Sequence, residues 1–143
     1  MTITLRPFDA ADYDAALHLW QTTPGVGLSD ADAREPIARY LRRNPGSSFV
    51  ALDDGALVGT ILGGHDGRRG LIHHLATAPA VRRRGVARAL VRATLAALRA
   101  QGIDKCHLMV LRGNGDGLAF WRAIDATERV DLTWFSMTTD APA

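Results

Sequence analysis

The chain has no cysteine pair: Cys106 is the sole cysteine among 143 residues, so no intrachain disulfide can form. That points to a reducing compartment, and the cytoplasm is the expected one. No apolar run reaches the ~18 residues of a membrane span, so no membrane association is expected. No charged-then-apolar leader with a small-residue cleavage site opens the sequence. There is no internal repeat and no low-complexity linker. Nor is there a broad basic field, because the formal net charge is only +2; that argues against a general nucleic-acid coat. What is present is an ordinary globular composition, 47% hydrophobic and 22% charged. At this length one domain spanning residues 1–143 is expected, large enough to bury a core unaided.

The charge is unevenly placed. Arg82, Arg83, Arg84, Arg88 and Arg92 fall within eleven residues, while Asp9, Asp12, Asp14, Asp30, Asp32 and Glu35 occupy the first third. A concentrated basic patch in a weakly charged chain points to a compact polyanionic ligand.

Periodicity gives the organisation. Thr2–Arg6 alternates as a strand. Asp9 reads as an N-cap with Asp12 three residues on and Phe8 placed to staple against Tyr13. The following helix buries Tyr13, Leu17 and Trp20. Thr22–Ser29 is a loop, and a second helix runs from about Pro36 to Arg43 with the stripe Ile37, Tyr40, Leu41. Ser48–Leu52 and Ala56–Leu62 are strands joined by the hairpin signal Asp53-Asp54-Gly55. Gly63, Gly64, Gly67 and Gly70 bracket a turn, and Leu71–Thr77 is the next strand. Gly85–Gln101 is the longest helix, with Val91, Leu95 and Leu98 buried and Gly102 as its cap. Cys106–Leu111 reads as a buried strand, Asn114–Ala123 as a short helix behind an Asn cap, and Thr127–Met137 as a final extended segment. Pro142 falls in a frayed tail. The strand–helix–strand unit in the middle requires a parallel crossover. The expected fold class is α/β: a mixed sheet with helices on both faces.

Arg82-Arg83-Arg84-Gly85-Val86-Ala87 joins a strand to the long helix. Such a turn presents unpaired amides at the positive end of a helix dipole, an anion site. Gly85 permits a tight turn and close approach of a phosphate, and Ala87 is small enough not to block it. Arg88, Arg92 and Arg99 share one helical face. Arginines at a helix N-terminus oppose the dipole, a cost that an arriving anion offsets.

These residues carry a resemblance. Arg82, Gly85 and Ala87 meet the pattern [Q/R]-x-x-G-x-[G/A] of the GNAT superfamily of N-acetyltransferases. Leu75-Ala76-Thr77-Ala78-Pro79 resembles the family's lead-in to that turn. Asn114, followed by Gly117, Ala119, Phe120 and Trp121, resembles its second block. The likeness is strong from about Leu71 to Ala123 and looser before, and it implies a small single-domain enzyme.

The resemblance implies that acetyl-CoA lies between the splayed strands Leu71–Thr77 and Cys106–Leu111. Leu75, Ala76 and Thr77 then pair with the pantetheine arm. Arg82, Arg83, Arg84, Gly85, Val86, Ala87 and Arg88 hold the phosphates, and Asn114 completes the cofactor set. No metal is implied. The implied reaction is direct attack of a neutral amine on the thioester, which needs a base. The family often carries Glu six residues before the position of Pro79; His73 stands there and is the candidate base. His73 and His74 are expected on opposite sheet faces, His73 sharing its face with Leu71 and Leu75. The family's Tyr seven residues after the Asn is replaced by Trp121, whose indole cannot serve as an acid. Asp125-Ala126 replaces the usual Gly-aromatic pair. Cys106 is expected to be a buried, inert thiol.

The acceptor side is expected to be walled by Trp20–Asp32, the His65–Arg69 turn and the last strand, with Asp30, Asp32 and Asp66 attracting a cationic amine. The partners expected are acetyl-CoA, an amine acceptor and, through Thr127–Met137, a second copy of the chain. Three functional classes remain in view. They are an N-acetyltransferase acting on a small molecule or protein amine, a non-catalytic acyl-CoA-binding protein, and a nucleic-acid module. The last lacks an aromatic strand platform.

Overall fold

The computed structural model describes residues 2–140, and Pro142 lies outside them. Five strands form one sheet in chain order: β1 (Ile3–Pro7), β2 (Phe49–Asp53), β3 (Ala56–His65), β4 (Gly70–Thr77) and β5 (Cys106–Leu108). The first three pairings are antiparallel and β4–β5 is parallel. Helices α1 (Tyr13–Gln21) and α2 (Arg34–Arg43) separate β1 from β2; α3 (Val86–Ala100) carries the chain from β4 to β5, and α4 (Gly115–Ala123) follows.

Local chemistry sets the element ends. Asp9 Oδ1 accepts the Ala11 N–H at 2.8 Å and Asp12 Oδ2 accepts the Asp9 N–H at 2.9 Å, a reciprocal cap. The capped turn Ala10–Asp12 is 3-10, and the α-helix begins only at Tyr13. Asp54 (φ +50°) and Gly55 (φ +89°) form the tight β2–β3 turn. α3 ends where Gly102 takes φ +84° and the Ile103 N–H donates to Leu98 O at 3.0 Å.

Strand alternation feeds two layers. Val50, Leu62 and Ala76 pack with Phe8, Tyr13, Trp20 and Ile37 under α1 and α2. Ala51, Ile61 and Ile72 pack with Val86, Leu90 and Val91 under α3, with Phe120, Trp121 and Ile124 of α4 alongside.

One irregularity organises the centre. Leu62 pairs with His73 and Thr60 with Ala76, so β4 holds one residue more than β3 between these pairs. His74 takes φ +48° there. The extra residue breaks the alternation. Leu75 packs with the α3 layer, whereas Ala76 returns to the α1/α2 layer. The expectation that His73 and His74 point to opposite faces is therefore corrected: their rings lie 6.3 Å apart on the same side, and Leu75 faces away from them. A buried bridge holds the bulge. The Trp20 indole N–H donates to Thr60 Oγ1 at 2.9 Å, and the Thr60 hydroxyl donates to the His74 carbonyl at 2.9 Å.

Other expectations also shift. Gly63 and Gly64 lie within β3 rather than in a turn. A side chain on Gly63 would overlap the Ser47 carbonyl and Thr94 Cγ2, and one on Gly64 would meet the Tyr40 hydroxyl at 2.6 Å. They are glycine because helices and chain cross the strand closely, not because the chain reverses there. On α3, Leu95 is 43% exposed, and Thr94 takes the buried position, its hydroxyl donating to Ser47 O at 2.9 Å. β5 ends at Leu108, because β4 and β5 share a ladder only from Gly70–Cys106 to Ile72–Leu108. Thr127–Met137 joins no strand; Val130, Trp134 and Phe135 are 86%, 68% and 85% exposed. β propensity without a ladder partner does not make a strand.

Thr60→Val keeps the shape but strands a buried indole N–H and a carbonyl. Leaving such groups unpaired costs roughly 2–4 kcal/mol in all. Urea unfolding is expected to show that loss, with Thr60→Ser much closer to the parent. An unchanged Thr60→Val midpoint would remove the bridge as a support.

Candidate active site

The divergence of β4 and β5 opens a groove of about 1050 Å³. Its floor is Ile72–Thr77 on one side and Leu108–Leu111 on the other, with Phe120 and Trp121 of α4 at one wall and Thr23–Gly27 at the rim. Leu75, Ala76, Thr77, Arg82, Arg83, Gly85, Val86, Ala87, Arg88 and Asn114 all line it. Arg84 is exposed and lies off the lining.

The anion end of the groove is built by backbone. Arg83 (φ +64°) and Gly85 (φ +78°) are both left-handed, which folds the turn back onto the first turn of α3. Gly85 is the helix cap and offers no side-chain acceptor. The amides of Val86, Ala87 and Arg88 have no acceptor within the helix, as in any first helical turn. No heavy atom lies within 4 Å of a Cβ built on Gly85, so the space beside the turn is open there. Arg82, Arg83 and Arg88 border that space. Unpaired donors, a helix dipole and guanidinium groups converge there, which suits a pyrophosphate. The positive φ of Arg83 disfavours a side-chain-bearing residue and is strain held at the site.

Asn114 is spent largely on structure. Its Oδ1 accepts the Gly117 N–H at 3.0 Å as the α4 cap. Gly25 abuts the same side chain, where a Cβ would lie 2.6 Å from Asn114 Cγ. Asn114 thus ties the Thr23–Gly27 rim to α4.

A second cavity, about 550 Å³, lies on the α1/α2 side of the sheet. α2 contributes Pro36, Ile37, Arg39, Tyr40 and Arg43; the segment Gly27–Asp32 and Leu62 supply the rest. Gly27, His73 and His74 line both spaces, so the two meet at the histidines. Of the segments expected around an acceptor, Asp32 lines this cavity, whereas the His65–Arg69 turn and the C-terminal segment do not. Asp66 instead closes its own turn, accepting the Arg68 and Arg69 amides at 2.8 and 2.9 Å, which holds its carboxyl below the usual range.

The two histidines differ in their surroundings. His74 Nε2 meets Asp32 Oδ1 at 2.6 Å, and its ring lies 4.8 Å from that of Trp20. Asp32 Oδ2 accepts the Ser29 N–H at 2.9 Å, and the Tyr13 hydroxyl donates to Asp32 O at 2.7 Å. Asp32 is therefore committed to the fold and to His74. His73 makes no side-chain hydrogen bond among the described residues; the Tyr40 ring is 6.0 Å away. Burial pushes the His73 pKa below its ordinary value; the neighbouring His74 acts in the same sense, and Asp32 opposes both. His73 is thus neutral at pH 7 and able to accept a proton. The Tyr40 hydroxyl is buried without a partner, and burial pushes its pKa up to about 12. Burial likewise raises the Cys106 thiol, which keeps it protonated and unreactive.

Sequence reasoning did not anticipate Tyr40, Arg39 and Arg43 on a cavity lining and read Tyr40 only as core. The signal available was their spacing, i, i+1 and i+4 on one helix, which places all three toward one side.

A groove between diverging parallel strands, ending on a cationic helix start and joined to a second cavity, defines a class of acyltransferase. The chain belongs to the acetyltransferase (GNAT) family, whose profile matches residues 13–124. It is 32% identical over 121 residues to an acetyltransferase of Pectobacterium atrosepticum, covering 85% of each chain. It is similar in structure to Ard1 from Thermoplasma volcanium, with TM-score 0.74, 25% identity and coverage of 87% and 82%. The PaiA N-acetyltransferase from Thermoplasma acidophilum, solved with coenzyme A, shares the fold with TM-score 0.73, 18% identity and coverage of 87% and 89%.

A histidine titration by NMR should place His73 at a midpoint below 6.5, following the depressed pKa. A midpoint above 6.5 would contradict the burial argument.

Proposed function

We propose that residues 1–143 form one N-acetyltransferase domain that moves an acetyl group from acetyl-CoA to a primary amine by direct attack. One observation carries the reading: the anion-ended groove and the α2 cavity meet at His73 and His74. A donor thioester in the groove and an amine in the cavity would then face each other across these rings.

The groups fit the donor. The open turn at Arg82–Arg88 suits phosphates, and the β4 edge freed by the departure of β5 beyond Ile72 suits an amide-bearing arm at Leu75, Ala76 and Thr77. His73 takes one proton from the ammonium, and the neutral amine forms a bond to the thioester carbonyl carbon. The carbon–sulfur bond then breaks, and the second amine proton ends on the leaving sulfur, giving amide and free thiol. Trp121 lines the groove but has no proton to give, so water delivers that proton.

The exposed apolar segment Val130–Met137 and the unpaired outer edge of β5 also support self-association as a homodimer, which light scattering measures.

Gly85→Glu places bulk and negative charge over the amides. Calorimetry should show CoA affinity at least ~10-fold weaker, about 1.4 kcal/mol or more; unchanged affinity would dismiss the turn as the phosphate site. His73→Ala should lower kcat/KM by roughly 100-fold or more, the usual scale for a general base. In the parent, kcat/KM is flat near pH 7 and falls as pH drops through the His73 pKa below 6.5. That acidic limb should vanish in the variant. CoA binding without thiol release from any amine would instead indicate a non-catalytic acyl-CoA-binding protein.

A further inference from the structure

The α2 cavity carries more positive charge than an amine site needs. α2 has four arginines: Arg34, Arg39, Arg42 and Arg43. Arg34 is paired with Asp14 at 2.5 Å and Arg42 with Glu35 at 3.0 Å, and neither lines the cavity. Arg39 and Arg43 do line it, and neither has a carboxylate partner among the described residues. They are four residues apart, hence neighbours on one helix face. The sole carboxylate on the lining, Asp32, is already held by His74 and the Ser29 amide. Tyr40 also lines the cavity, but its hydroxyl is buried beside Gly64 of β3. The remaining lining is apolar or small, including Ile37, Leu62 and Pro36.

We propose that this cavity takes a small primary amine that also carries one anionic group, a carboxylate or a phosphate. The anion sits on Arg39 and Arg43 and the amine reaches the histidines. Two neighbouring guanidinium groups match the forked geometry of both anions. About 550 Å³ is room enough for a small molecule carrying both groups. A polyamine meets two uncompensated guanidinium groups and no free carboxylate, so polycationic acceptors are selected against. This rests on the acetyltransferase reading, since it names the acceptor of that same site.

The test uses matched pairs with acetyl-CoA: phenylalanine against phenethylamine, phosphoethanolamine against ethanolamine, and spermidine as the polycation. Free thiol is measured and kcat/KM compared within each pair. The anionic member is expected to be preferred at least tenfold in one pair or both, which also tells carboxylate from phosphate. In Arg39→Ala/Arg43→Ala the ratio should collapse toward one, while Arg42→Ala, off the cavity, keeps it. Equal rates within both pairs, a preference for spermidine, or a ratio that survives the double variant would overturn the proposal and leave the transferase reading standing. Thiol release from none of the panel or of a wider amine library, with CoA still bound by calorimetry, would overturn both.

Discussion

The Trp20 indole N–H and the His74 carbonyl meet at a single buried hydroxyl, that of Thr60. Trp20 is 1% exposed and Thr60 fully enclosed, so the indole N–H and the hydroxyl have no water as an alternative. That bridge ties α1 to β3 and fixes the extra residue of β4. The bulge turns both imidazoles to one side of the sheet, and Trp20 supports the His74 ring directly. Asp32 holds the far side of that ring, which brings the Gly27–Asp32 segment over the histidines. The α2 cavity therefore depends on the same few hydrogen bonds that make the strand irregular.

The opposite layer obeys a simpler constraint. Parallel strands joined by a helix must start side by side, and here they share a ladder for only three residue pairs. Past Ile72 and Leu108 they part, and the backbone between them is open to a ligand. α3 packs Leu90, Val91 and Leu98 against the sheet, so its N-terminus is held at the end of that opening. Left-handed Arg83 and Gly85 complete the turn. The free energy of packing α3 thereby holds a strained, cation-rich loop in place at the end of the groove.

Much of this was legible in the residues. Asp9, Asn114, Gly85 and Gly102 mark element ends through chemistry confined to a few neighbours, and each acts at the place it marks. The β4–turn–α3 run reads the same way, because capping, φ and dipole are local properties. Less legible were features needing two distant segments. Gly63 and Gly64 look like turn residues until Ser47 and Tyr40 are seen against them. Leu95 looks like core until Thr94 finds the Ser47 carbonyl.

The family, the mixed sheet and the place of the Arg82–Ala87 turn were readable from the residues alone, because each follows from short-range patterning and backbone preference. Which way the histidines face depends on packing between distant segments. Strict alternation separates His73 from His74; one additional residue, held by a hydroxyl from the neighbouring strand, reverses that. The folded chain also shows that Asp32 is occupied by His74, while Arg39 and Arg43 have no carboxylate partner among the described residues. Charge in a sequence is a count, whereas charge in a cavity is what remains after neighbours have been matched.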